Sequence, residues 1–86
     1  MSVTAGQVRA ARGLIGWSQE DLASRSKIGR ATIADFESGK REPYQTTLLT
    51  IRAALESAGV IFVEENGEGP GVRLRKTSQG TEGLGK

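Results

Sequence analysis

WSQEDLASRSKIGRATIADFESGKREP, residues 17–43, carries the pattern that decides the fold. Ser18 opens it as a helix N-cap, and Asp21 stands three positions on, a shorter substitute for the Glu of a capping box. Trp17 before the cap and Leu22 after it have the spacing of a hydrophobic staple. A helix therefore runs from Ser18 to about Arg25. Ser26, Lys27, Ile28 and Gly29 make a turn, Gly29 caps the next helix, and Ile28 and Ile33 repeat the staple. Ile33, Ala34, Phe36 and Glu37 keep a helical period until Gly39 stops it. Helices this short do not stand alone, because nucleation is costly, so packing must hold them.

Two short helices at a steep angle form a helix-turn-helix, whose second helix can enter a DNA major groove. The flanking segments read as its support. Residues 4–15 form a first helix, capped by Thr4 with Gln7 as reciprocal partner and stapled by Val3 and Val8. Val8, Ala11 and Ile15 mark its buried face. Arg12 lies beside that face, where an unpaired charge is expensive. Gly13 weakens this helix by about 1 kcal/mol relative to Ala, and Gly16 ends it. Pro43 closes the loop after Gly39. A fourth helix then runs from about residue 44 or 45 to 58, with Leu48, Ile51, Leu55 and Ala58 as its apolar stripe and Gly59 after its end.

From Val60 the period changes to that of a strand. Residues 60–64 are β-rich, ENGEGPG at 65–71 is a turn cluster, and residues 72–75 alternate apolar with basic, so a hairpin is expected with Ile61 or Phe62 on one face. A lone two-stranded hairpin is marginal and leaves edges open. Pairing with a second chain through Val60, Ile61, Phe62, Val63, Val72 and Leu74 solves that problem, and folding onto its own helices is the rival. Three segments follow: 1–59 as the helical domain, 60–76 as hairpin and dimerisation element, and 77–86 as a disordered tail without periodicity.

Composition narrows the function. The 86 residues have no Cys and no His, which removes disulfides, thiolate metal sites and the commonest general base. No metal and no cofactor is expected. The glycines at 67, 69 and 71 precede no helix that could hold a nucleotide, so they read as turn chemistry and an enzyme is not expected. The longest apolar run, residues 60–63, is too short to span a bilayer and no signal peptide is evident, so the expected location is cytoplasmic. A net charge of +2 is only mildly basic, but Arg25, Lys27, Arg30, Lys40 and Arg41 cluster in or beside the helix-turn-helix.

SQEDLA at 18–23 and RATIADFESGKREP at 30–43 resemble the phage-repressor-like (XRE, Cro-like) helix-turn-helix family. The resemblance covers roughly residues 4–59, with Gln19, Leu22, Ala23, Ile33, Glu37, Gly39 and Pro43 in register. It implies a mainly α fold of four helices, here followed by a short C-terminal hairpin, and an internal ion pair between Arg12 and Glu37. Some short bacterial members carry a tail similar to the GVIFVEENG and GVRL segments. The chain departs from the family pattern at Ser26 and Lys27, where an apolar residue and a turn glycine are usual. It departs again at Gly29 for a Ser cap, and at Asp35 for a longer neutral or basic side chain.

The expected function is a homodimeric, sequence-specific transcriptional regulator on a roughly palindromic double-stranded DNA site, reading the major groove with residues 29–37. Arg30 can pair with guanine, Ala31 can touch a thymine methyl, and Thr32 can reach a base or phosphate. Asp35 can accept from cytosine, fix the Arg30 rotamer, or repel phosphate. Gln19 begins a helix that can hold a phosphate, and Lys40 and Arg41 add salt-sensitive attraction. The rival is a protein-binding antiactivator or antitoxin on the same fold, favoured by Asp35 and the modest charge. No ligand domain for small-molecule sensing is evident.

Overall fold

The computed structural model describes residues 3–76. It contains four helices, α1 (Ala5–Ile15), α2 (Gln19–Ser26), α3 (Arg30–Glu37) and α4 (Gln45–Ser57), then strands β1 (Val60–Val63) and β2 (Gly71–Leu74). The two capping boxes form as the spacing requires. Thr4 Oγ1 accepts from Gln7 N–H at 3.0 Å while Gln7 Oε1 accepts from Thr4 N–H at 2.9 Å. Ser18 and Asp21 exchange the same two bonds at 2.9 Å each, so the shorter carboxylate closes the box fully.

The core is one cluster. Val3, Val8, Ala11, Leu22, Ile33, Phe36, Leu48, Ile51, Leu55, Val60 and Phe62 are buried, and Trp17 and Ile28 pack on its flank, as the staple spacing demands. Ile15 is half-buried rather than fully inside. α2 continues one residue past Arg25. Ser26 stays buried because its hydroxyl donates to Leu22 O at 2.7 Å and accepts from Ile28 N–H at 3.2 Å. Lys27 then takes the left-handed turn, φ +63°, a conformation that costs a side-chain-bearing residue on the order of 1 kcal/mol. α3 ends in a Schellman turn at Gly39 (φ +82°), with Gly39 N–H on Phe36 O and Lys40 N–H on Asp35 O.

β1 and β2 pair antiparallel, Val60 opposite Leu74 and Phe62 opposite Val72. β1 begins at Val60 as the alternation suggests and ends one residue early at Val63, while β2 is shifted one residue earlier at both ends, Gly71–Leu74. Phe62, not Ile61, points inward with Val60, so these two fill the core of their own chain. That leaves Ile61, Val63, Val72 and Leu74 as the apolar hairpin residues a second chain could reach. Gln7 fastens the hairpin to α1. Its Nε2 donates to Gly71 O at 2.9 Å and Val63 O at 3.3 Å, and the residue is buried. The segment 77–86, expected to be a disordered tail, lies outside the described residues.

Candidate nucleic-acid interface

The site is built on a buried charge. Glu37, in the last turn of α3, is 3% exposed and receives Arg12 Nε and Nη2 at 2.8 and 2.7 Å. Arg12 Nη1 also donates to Trp17 O at 3.0 Å, and Arg9 Nη1 donates to Glu37 O. Burial pushes the Glu37 carboxyl upward, but the hydrogen bonds from Arg12 and Gln19 and the charges of Arg12 and Arg9 outweigh it, leaving it below the ordinary carboxylate range. Arg12 is raised, chiefly by its hydrogen bond to Glu37, against the opposing cost of burial. This pair locks α1 to the end of α3.

The same carboxylate reaches the outer surface through one more residue. Gln19, first in α2, donates from Nε2 to Glu37 Oε1 at 3.1 Å and accepts at Oε1 from Arg30 Nη1 at 3.4 Å. Arg30 is exposed at the first position of α3. Gln19 is half-buried with both ends of its amide engaged. Asp35 does not fix Arg30. Its carboxylate lies 4.0 Å from Lys40 Nζ, at the opposite end of α3. The Asp35 carbonyl also accepts from Lys40, Arg41 and the Ser38 hydroxyl. Phe36, Ile33 and Glu37 face inward, which turns Arg30 and Ala31 outward with Thr32, Ala34 and Asp35 partly exposed.

Thr32 and Arg41 meet across a cleft of about 370 Å³, together with Glu42, Pro43, Tyr44 and Thr47. Tyr44 is 86% exposed as the N-cap of α4. Its side chain makes no capping bond to the first turn of α4. In the sequence Tyr44 marks no more than the start of α4. An aromatic residue at a cap position, just after proline and beside two basic residues, was the available signal. Arg25, by contrast, stacks over Trp17 with its guanidinium carbon 5.1 Å from the ring centroid, away from this group's bonding.

Residues 8–58 match the model of a helix-turn-helix family, more than half of the chain. The chain belongs to the XRE, lambda-repressor-like helix-turn-helix family. Members of this helix-turn-helix family are DNA-binding regulators and are not typically enzymes. No curated protein matches the chain. Among the described residues, no helix is long and apolar enough to cross a membrane.

Proposed function

We propose that this helix-turn-helix protein is a sequence-specific transcriptional regulator that binds a roughly palindromic site as a homodimer, with α3 in the major groove. The observation that carries the reading is the relay from Arg12 through Glu37 and Gln19 to Arg30. It holds an exposed guanidinium at the leading end of α3. A held arginine loses less side-chain freedom on meeting guanine O6 and N7. Ala31 and Thr32 follow on the groove side, and the small Ala31 lets α3 approach a thymine methyl. Lys40 and Arg41 face the phosphates on one flank, where Asp35 restrains Lys40. The exposed Tyr44 extends that flank.

Two such helices spaced about 34 Å apart by a dimer fit successive major grooves. The experiment is selection of bound sequences from random DNA, followed by titration at several salt concentrations. The expected outcome is an inverted repeat bound with steep salt dependence, and an Arg30→Ala variant that loses roughly 1–3 kcal/mol of discrimination at one base pair. Absence of binding to any DNA at low salt refutes the reading and favours a protein-binding role.

A further inference from the structure

We infer that the exposed edge of β2 pairs antiparallel with the β2 edge of a second copy of this chain, with the two-fold axis beside Val72. The inference rests on the homodimer reading and specifies which strand, edge and register form it. Arg75 N–H donates to Gly59 O at 2.7 Å, in the same register that sets Val60 opposite Leu74. Gly59 and Arg75 are therefore a hydrogen-bonded pair, and by alternation so are Ile61 with Arg73 and Val63 with Gly71. The N–H and C=O groups of Val60, Phe62, Val72 and Leu74 then point outward from the ladder.

Only one of the two edges can be reached. Val60 is 1% and Phe62 7% exposed, main chain included, so the β1 edge is closed by the chain's own helices. Leu74 is 50% exposed and Val72 partly so, leaving the β2 edge open. An open edge of this kind takes another strand.

Charge selects a second copy as the occupant and sets the register. The turn before β2 carries Glu64, Glu65 and Glu68, while Arg73, Arg75 and Lys76 lie in and after the strand. Antiparallel pairing of two identical strands brings the acidic end of each to the basic end of the other. Outward groups stay in phase with the axis beside Gly71, Val72, Arg73 or Leu74. At Gly71, Leu74 would face Glu68 in the turn, and Gly71 alone of each strand would lie opposite the other strand. At Arg73, two arginines would face each other, and at Leu74, Arg73 would face Arg75. Like charges directly opposite are destabilising. With the axis at Val72, Arg73 faces Gly71, Arg75 faces Gly69, and Glu68 faces Lys76 of the second copy. Val72 then exchanges two bonds with its counterpart, and Leu74 N–H donates to the carbonyl of Pro70, which has no N–H to leave unpaired. A four-stranded sheet results, and Leu74 is covered on its inward face.

The test is sedimentation of the full chain without DNA, alongside Leu74→Pro and charge variants. Proline at 74 removes an N–H that points away from β1, so the hairpin keeps its own ladder, as edge positions allow. The expected result is a wild-type dimer, with Leu74→Pro weakening dimerisation more than ~10-fold while retaining the wild-type helical circular dichroism. Glu68→Lys and Lys76→Glu should each weaken the dimer roughly threefold to tenfold, and the two together should restore it. If Leu74→Pro loses its fold, the charge pair decides. A wild-type dimer indifferent to both sets of changes overturns the edge assignment and leaves dimerisation standing. A wild-type monomer at tens of micromolar overturns both, and neither result bears on whether α3 binds DNA.

Discussion

Replacing Glu37 by Gln tests the buried relay most directly. Arg12 Nε, Arg12 Nη2 and Gln19 Nε2 all aim at the two carboxylate oxygens. A carboxamide offers one oxygen and turns an NH2 toward the remaining donors. The charge of Arg12 loses its counterion in a site where Glu37 is 3% exposed. Breaking a buried pair from one side costs about 3–5 kcal/mol. Arg12 keeps 19% of its side chain in water, which puts the expected loss at the lower end, about 3 kcal/mol. For a domain of this size that lowers the melting temperature by roughly 15 °C. The sign of the pH dependence follows from the lowered Glu37 pKa. A depressed carboxylate adds stability above its unfolded pKa of about 4.3 and loses it as pH falls through the lower, folded value. Thermal melts followed by circular dichroism should show the full deficit of Glu37→Gln at pH 7 and a smaller one at pH 3, below the unfolded carboxylate pKa. An equal deficit at both pH values, or one below about 1 kcal/mol at pH 7, would refute the buried-charge account.

Gln19→Ala should lower the ratio of specific to non-specific DNA affinity by roughly 5-fold with little change in salt slope, because it frees Arg30 without removing a cation; binding to the selected site and to random DNA measures this. Lys27→Gly should raise stability by about 0.5–1 kcal/mol, read as a higher melting temperature, because glycine accepts the left-handed turn without strain. Gln7→Ala should cost about 1–3 kcal/mol and speed amide hydrogen exchange across residues 60–74 ahead of α4. Exchange that rises uniformly over the domain would contradict the role given to Gln7.

Most of the helical architecture was legible because its causes are local. Thr4, Ser18 and Gly39 sit at fixed offsets from the residues they cap, and Leu48, Ile51 and Leu55 repeat at the helical period. The buried partners were not local. Gln7 was readable as a capping residue, yet its second amide function contacts strands 56 and 64 residues away. No periodic pattern reports such a bond. The same limit applied to Gln19, whose bonds to Glu37 and Arg30 no local pattern reports. Asp35 looked anomalous in isolation, and its pairing with Lys40 depends on the Schellman turn folding the chain back. The strand residues were harder still, since alternation shows two faces without showing which one meets α1 and α4.

The bond from Gln7 to the hairpin also imposes an order of events on biosynthesis. Gln7 leaves the ribosome 56 residues ahead of Val63 and 64 ahead of Gly71. Its amide must stay hydrated until both carbonyls emerge, so α1 acquires its final environment only after the rest of the helical core has been made. A chain released before Gly71 would therefore carry all four helices while the Gln7 Nε2 still lacked the Gly71 carbonyl, a defect felt at the opposite end of the chain from its cause.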